Sequence, residues 1–275
     1  MRNKIGFGTI AAYVLAFLLL VSILYPFAWL GLSTFKSEKD IIQYPPRFFA
    51  SSLSLASYIK VWQSLPLFTF FKNTTIFAGC VTAISILFDS MAGYAFARIW
   101  FKGKELIFSL ILLTMMIPFQ VLMIPLFLEV FKVGLLDTYA GLIMPRMADA
   151  FGIFLMRSFF VSLPKDLEEA GRVDGLSEFQ IFFKIMFPLC KSAVITLCIF
   201  NLMGNWNDLL YPLMLTSSTK MRTLSAGLAT LVGQRAVEYG PTLTGTMLAV
   251  LPLIGLYLFA QKYFVEGVAT TGMKG

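Results

Sequence analysis

Six long apolar segments with few charges dominate this sequence and limit what it can fold into. A helix of about 20 apolar residues is long enough to cross the roughly 30 Å hydrocarbon core of a bilayer. Backbone groups in lipid must be hydrogen-bonded within the protein, and period-two alternation is absent, so the segments predict helices and not barrel strands. The sequence predicts an all-α membrane protein with one domain over residues 1–275 and six transmembrane helices, at about residues 8–32, 73–97, 106–130, 138–161, 191–215 and 241–261.

The composition agrees with a chain that lies mostly in lipid. Of the 275 residues, 58% are hydrophobic and only 13% are charged, and the mean hydropathy is +0.79. Soluble domains carry about 25% charged residues, so this class is excluded. The basic residues behind the net charge of +7 are scattered between the apolar segments, which indicates membrane topology and no nucleic-acid partner.

The residue types that carry much of enzyme chemistry are scarce. Histidine is absent, which excludes imidazole-based nucleophile pairs and histidine metal sites. Cys80, Cys190 and Cys198 lack the spacing of metal ligands and lie in or beside apolar segments, so we expect buried thiols. We predict no catalytic residue and no metal site in this chain.

The first apolar segment has two interpretations, a cleaved signal peptide and a retained anchor. It is longer than the about 7–15 residues of a signal-peptide core, and no small-residue cleavage site follows it, which favours an anchor. Basic residues divide almost evenly between the two sides of the predicted helices. The compact cluster of Arg98, Lys102 and Lys104 favours the orientation with both termini in the cytoplasm.

The connection between the fourth and fifth predicted spans, residues 163–188, is called the elbow below. Pro164 and the acidic residues after it are typical of a helix start, where the macrodipole favours negative charge. Gly175 fits the left-handed position that follows a helix end. Ser177 opens a capping box, and an apolar face with helical spacing follows it as far as Pro188. The elbow is therefore predicted to be a short polar helix, a turn and an amphipathic helix.

The surface of the first elbow helix has two interpretations from composition. The small residues Ala170 and Gly171 beside Glu169 would let a partner approach closely while the carboxylate meets a basic group. A solvated cytoplasmic connection explains the same residues equally well.

The spacing in the elbow adds a resemblance to a known family. The run Glu169-Ala170-Gly171, followed at fixed distances by Gly175, Ile185 and Pro188, resembles the EAA loop of ABC importer permeases, E-A-A-x3-G-x9-I-x-L-P. Glycine at 171 and phenylalanine at 187 depart mildly from that pattern. In that family the loop forms a coupling helix that docks on the ATPase subunit. The resemblance implies ATPase-coupling roles for Glu168, Glu169, Ala170, Gly171, Asp174, Gly175, Ile185 and Pro188.

Further motifs resemble the MalG-like branch of carbohydrate importers along nearly the whole chain. They are Gly93 to Arg98, Met116 to Gln120 with Ile124 to Leu126, Gly134 to Tyr139, Trp206 to Asp208, and the tail Glu266-Gly267 to Lys274-Gly275. The resemblance implies a type I importer permease fold in a bacterial or archaeal inner membrane, alternating access, and a sugar or oligosaccharide as substrate.

The same resemblance implies the partners. They are a second, MalF-like permease, a dimer of ABC ATPase subunits and an extracellular solute-binding protein. The chain has no GxxxxGK[ST] phosphate loop, so we expect no cofactor in it, ATP and Mg bound by the ATPase, and no enzymatic activity of its own.

Polar residues inside predicted spans are costly in lipid and are therefore candidates for the substrate path. Asn201, Asn205 and Asp208 recur on one stripe of the fifth span. Either Trp206 or Tyr211 could add an aromatic face of the kind a sugar ring packs against. Hydrogen bonding to the partner permease explains the stripe equally well. Asp89 in the second span is either a path residue or an acceptor of hydrogen bonds from a neighbouring helix.

Two features of the third and fourth spans have local explanations. Arg146 and Asp149 are three residues apart, and we expect them to neutralise each other. Pro118 and Pro125 are expected to kink the third span.

The loops 33–72 and 216–240 are too short to be domains. In the resembled family such loops face the solute-binding protein, so Tyr58 and Trp62 are candidate contacts, although an interfacial aromatic belt also explains Trp62.

Two other functions are compatible with parts of this sequence. A permease for a non-sugar solute, such as glycerol phosphate, an amino acid or a peptide, would carry the same elbow. An integral-membrane enzyme would need clustered acids or metal ligands near one interface, which the histidine-free spans disfavour.

Overall fold

The helices of the chain follow from its apolar segments and from the turn residues between them. The structure, a computed structural model, describes residues 7–233 and 238–272, and within these ranges it contains no strand. The α-helices are α1 Phe7–Ser33, α2 Glu38–Ile42, α3 Ala56–Ser64, α4 Leu67–Arg98, α5 Lys104–Thr114, α6 Phe119–Lys132, α7 Tyr139–Ile143, α8 Ala150–Ser162, α9 Asp166–Val173, α10 Glu178–Ile181, α11 Phe187–Leu189, α12 Lys191–Asn207, α13 Leu210–Leu215, α14 Leu224–Leu228, α15 Thr230–Gly233 and α16 Tyr239–Gly272.

Three of these helices are each long and apolar enough to cross a membrane, over Gly8–Ser33 in α1, Leu67–Arg98 in α4 and Tyr239–Leu258 in α16. Three bent pairs meet the same criteria as pairs: α5 with α6, α7 with α8, and the segment Glu178–Leu189 with α12. Their bends are 100°, 43° and 80° respectively. Counting each pair as one span brings the number to the predicted six.

Two of the breaks occur where the backbone lacks a donor, before α6, or where a side chain caps the next helix, before α8. α6 begins directly after Pro118, which has no N–H, and the chain turns there by 100° relative to α5. Pro125 lies inside α6, which continues past it to Lys132. The predicted span 191–215 is also divided, because α12 ends at Asn207 and α13 starts at Leu210.

The chain divides into two compact units, and each has its own stabilising interactions. The first comprises Met1–Leu67 and Leu228–Pro252. In it the Glu38 carboxylate accepts hydrogen bonds from the first N–H groups of α16, at Tyr239 (2.7 Å) and Gly240 (2.9 Å). A carboxylate at this position satisfies orphan donors and complements the helix dipole.

The second unit comprises Phe68–Gly227 and Leu253–Gly275, and it contains the elbow and the substrate-path candidates. Its largest apolar cluster joins α4, α8, the elbow and α12 around Tyr94, Phe160 and Met186. α4 and α8 approach closely at Gly93, where an added Cβ would lie 2.7 Å from Cβ of Met156. This packing places the last turns of α4 next to the elbow.

Candidate functional site

A cavity of about 520 Å³ opens among the broken helices of the second unit. This is within the size range of small-molecule sites, about 300–1,000 Å³. The chain is broken between α5 and α6, between α7 and α8, and between α12 and α13, and polar groups next to these breaks line the cavity. Non-helical backbone at the depth of a membrane is tolerated where it lines such a cavity. The cavity is lined by Val81, Ser85, Phe119, Leu122, Pro125, Leu126, Glu129, Pro145, Arg146, Ala148, Asp149, Phe200, Asn201, Gly204, Asn205 and Tyr211.

Arg146 is the centre of the polar side of this cavity. Its Nη2 lies 2.5 Å from Oδ2 of Asp208, and its Nη1 donates a hydrogen bond of 2.8 Å to Oδ1 of Asn205. Its guanidinium carbon lies 4.0 Å from the ring centroid of Tyr211, within the range of a cation–π contact. The prediction that Arg146 and Asp149 neutralise each other is therefore wrong. The helical turn ends at Arg146, so spacing along one helix does not bring the two side chains together.

Hydrogen bonds of Asp149 and Asp89 instead connect the start of α8 to α4. The Asp149 carboxylate caps α8 by accepting from the N–H of Gly152, and the N–H of Asp149 donates to Oδ1 of Asp89 at 2.8 Å. The hydroxyl of Ser85 donates to Oδ2 of Asp89 at 2.5 Å. Asp89 is fully buried and is not among the residues that line the cavity. Asp89 thus accepts a hydrogen bond from a neighbouring element, as one of its two interpretations from sequence expects.

Two of the five substrate-path candidates line the cavity. Asn201 donates to Oγ of Ser85 at 3.0 Å, and Asn205 donates to the carbonyl of Asn201 at 2.8 Å, so both amides are held in place. Asp208 lies beyond the end of α12 and reaches the site through Arg146. Trp206 is not a lining residue; its ring centroid lies 6.4 Å from that of Phe71.

The cysteines occupy three different environments. Cys190 is buried, Cys198 is half-buried and Cys80 is exposed, so the expectation of a buried thiol is wrong for Cys80, which lies on an open face of α4. Among the described residues, no group of three or more Cys, Asp or Glu side chains is arranged to hold a metal ion.

The elbow has the local structure that its sequence predicts, with one difference. α9 is followed by Gly175 at φ +77°, and Ser177 and Gln180 form a reciprocal capping box at the start of α10. The amphipathic helix is not regular, because Phe182–Met186 forms a π-helical turn in which the N–H of Phe187 bonds the carbonyl of Phe182. A π turn widens the backbone and re-aims the side chains that follow it.

The coupling residues implied by the resemblance divide into an exposed and a buried set. Glu169, Ala170 and Asp174 are exposed on α9 and its end. Gly171 is buried, and a Cβ there would lie 3.0 Å from Cδ1 of Ile185, so this glycine allows the two elbow helices to pack together. Of the remaining members, Ile185 is half-buried, and Gly175 and Pro188 are exposed.

Glu168 is the other buried member of the set. Its carboxylate forms an ion pair of 2.9 Å with the guanidinium of Arg98, the last residue of α4. Burial raises the pKa of Glu168, and the nearby guanidinium groups of Arg98 and Arg172 oppose that shift. Sequence reasoning missed this pair, because Arg98 reads as a topology signal in a cluster of basic residues. The signal that could have found it is the arginine at the end of an apolar helix together with two adjacent glutamates, whose side chains lie about 100° apart around a helix and can therefore meet different surroundings.

Comparison with known proteins gives a consistent result. The family described as binding-protein-dependent transport system inner membrane component matches residues 89–270. The arabinooligosaccharides transport system permease protein AraQ of Halalkalibacterium halodurans is 35% identical over 263 residues, which cover 94% of each chain. The lactose transport system permease protein LacG of Rhizobium radiobacter is 34% identical over 245 residues, 89% of each chain. A chain of a bacterial ABC transporter involved in the import of the acidic polysaccharide alginate superposes with a TM-score of 0.80 at 25% identity, covering 96% of this chain and 98% of that one.

Proposed function

Since the chain belongs to the family of binding-protein-dependent transport system inner membrane components, we propose that it is the permease subunit of an ATP-driven importer of sugars or oligosaccharides. Relatives named for arabinooligosaccharide and lactose transport, each similar over most of its length, support the substrate class. The observation that carries the proposal on the molecule itself is the cavity, which is lined by two amide side chains and three aromatic residues.

The charges around the cavity favour a neutral sugar. Glu129 and Asp149 bring negative charge to the lining, and the single cation of the described lining residues, Arg146, is paired with Asp208. An acidic sugar or a glycerol phosphate would meet this negative surface with no unpaired cation among those residues, and a buried like charge is unfavourable. The substrate is therefore a neutral oligosaccharide, unlike the acidic polysaccharide named for the solved alginate transporter.

Coupling to ATP hydrolysis is assigned to the elbow. Its exposed face at Glu169, Ala170 and Asp174 is the surface offered to the ATPase subunits, which bind ATP and Mg. A carboxylate beside small residues suits a basic groove that closes around a helix. Closure of the ATPase dimer moves the elbow, and the spans alternate between inward-facing and outward-facing arrangements.

The remaining partners follow from the same assignment. A second, MalF-like permease completes the path, and an extracellular solute-binding protein delivers the sugar. A solved structure of a bacterial alginate ABC transporter contains a pentasaccharide-bound periplasmic protein. The chain spans an inner membrane several times with the elbow and both termini in the cytoplasm; residues 1–6 and 273–275, with the end of the family-like tail, lie outside the described residues.

Leucine substitutions at two asparagines of α12 test the path. Asn205→Leu removes an amide that lines the cavity and holds Arg146, so we expect uptake of a neutral oligosaccharide by the reconstituted transporter to fall about tenfold, as for loss of a buried hydrogen bond of 1–3 kcal/mol. Assembly with the partner permease should persist, as judged by co-purification.

Asn207→Leu is the matched control, because Asn207 is exposed, donates only to its own helix at Met203 and is not a lining residue. Its uptake should remain normal. Loss of assembly in Asn205→Leu would instead support hydrogen bonding between the two permeases as the role of this residue.

A further inference from the structure

Two adjacent glutamates at the start of α9 differ in their exposure. Glu169 is exposed, on the face offered to the ATPase. Glu168 is only 4% exposed and faces into the protein, against the end of α4. The two carboxylates therefore cannot share one docking role.

The pair of Glu168 with Arg98 is buried on both sides. Nε of Arg98 and Oε1 of Glu168 lie 2.9 Å apart, both side chains are 5% exposed, and neither atom has a hydrogen-bond partner elsewhere in the described chain. Nη2 of Arg98 also donates to the carbonyls of Phe160 (2.5 Å) and Leu163, at the end of α8. A buried ion pair adds little to stability by itself, because desolvation offsets its attraction, but it fixes how its elements are arranged.

A second tie joins the same turn of α4 to the other elbow helix. Tyr94 lies one turn before Arg98, and its hydroxyl donates to Glu178 at 3.1 Å. Glu178 accepts from Nε of Arg172 at 2.7 Å, and Arg172 in turn lies 3.5 Å from Glu168. The side chains thus close a ring that joins the last turn of α4 to both elbow helices, α9 and α10.

α4 connects this ring to the cavity. It is an uninterrupted helix of 32 residues, and its residues Val81 and Ser85 line the cavity. At a rise of 1.5 Å per residue, Ser85 lies roughly 20 Å along the helix from Arg98. A displacement of the elbow that is held by the ring must therefore move a helix that forms part of the cavity wall.

We propose that Arg98 and Glu168 are positioning residues that fasten the elbow to α4, so that elbow movement reaches the cavity through this helix. The proposal rests on the proposed function, since it takes the elbow as the ATPase contact. The two glutamates then have different roles: Glu169 binds the ATPase subunit, and Glu168 transmits the movement of that subunit to α4.

The test is the ratio of sugar transported to ATP hydrolysed in the assembled transporter in proteoliposomes. Glu168→Gln removes the charge and keeps the shape, and we expect ATP hydrolysis to continue while the ratio falls about fivefold or more, the size of a typical coupling energy. Arg98→Gln should have the same effect. The double variant should be no worse than the poorer single one, because both changes break one link.

Glu105→Gln is the matched control. Glu105 pairs with Arg157 at 3.2 Å on α8, away from the elbow, and its side chain is 71% exposed. Glu105→Gln should leave the ratio of sugar transported to ATP hydrolysed unchanged. A normal ratio in assembled Glu168→Gln transporters would overturn the proposal, as would a loss of ATPase binding in that variant, which would make Glu168 a docking residue.

Should the two permeases fail to assemble with each other in Glu168→Gln, Tyr94→Phe decides by the same ratio, because it deletes only the hydroxyl of the second tie. A reduced ratio supports the ring, and an unchanged one overturns it. A wild-type transporter that hydrolyses ATP without moving sugar would contradict the proposed function itself, and not the role of the ring.

Discussion

At the scale of single residues, the charged groups of the spans find their partners in other elements, and local spacing predicts these partners poorly. Arg146 pairs with Asp208, 62 positions along the chain from it, and not with Asp149. Asp89 receives its hydrogen bonds from Ser85 and from the backbone at Asp149. The sequence predicts that a charged residue in lipid needs a partner. Which residue is the partner depends on where the helices break, and the sequence does not show the break after Arg146.

The close approach of Gly152 to Asp89 gives a test of this packing. A Cβ at Gly152 would lie 2.1 Å from Oδ2 of Asp89, so Gly152→Ala must displace the carboxylate from its donors. We expect a loss of about 1–3 kcal/mol in stability, as for overpacking, measured by thermal unfolding of the purified complex. Gly79→Ala is the control on α4, where nothing lies within 4 Å of the added Cβ, and it should not destabilise the protein, because alanine is the better helix former. Equal stability of both variants would argue against a tight Asp89 site.

At the scale of elements, the elbow was the part of the chain most fully predicted. Its first helix, the left-handed glycine and the capping box depend on interactions within a few residues, which sequence patterns report directly. The π turn at Phe182–Met186 was not predicted, because it depends on how the apolar face meets α4 and α8. The direction of Glu168 was missed for the same reason: Arg98, its partner, lies on another helix.

The left-handed backbone conformation of Gly175 can be tested separately from the space around this residue. An added Cβ would meet nothing within 4 Å, so the cost of Gly175→Ala is the left-handed backbone alone, roughly 1 kcal/mol or more. We expect weaker binding of the ATPase subunits, by about fivefold, in a titration of the purified permeases. Gly175→Asn should be milder, because asparagine tolerates this region better. Equal defects in both variants would point to a requirement for space on the partner and not for backbone conformation.

At the scale of the whole molecule, the number of spans could be predicted but their continuity could not. Three spans are single helices, whereas the other three are bent pairs. Hydropathy measures apolar length and is insensitive to a break, and the breaks are what bring polar residues of α4, α12 and the α7–α8 connection to one cavity. The cavity residues Asn201, Asn205 and Tyr211 were candidates from sequence. Ser85 and the role of Arg146 were not.

The charge of the cavity leads to a prediction about substrate choice. In competition assays a neutral oligosaccharide should block uptake, and an acidic one of equal length should not. Asp208→Asn leaves the charge of Arg146 without its ion-pair partner, so this variant should tolerate the acidic sugar better. Asp137→Asn is a control, because Asp137 holds the backbone at Ser217 and Ser218 and does not line the cavity. Unchanged selectivity in Asp208→Asn would place the substrate away from Arg146.

The most direct measurement of the central claim is ATP-dependent sugar uptake by proteoliposomes that contain the complete transporter with Glu169→Lys. A lysine on the exposed face of α9 places positive charge where a basic partner is expected, so uptake and ATPase association should both be lost while the two permeases still co-purify. Glu105→Lys, at an exposed glutamate outside the elbow, should transport normally. Undiminished uptake with Glu169→Lys would contradict the assignment of the elbow as the link between ATP hydrolysis and transport.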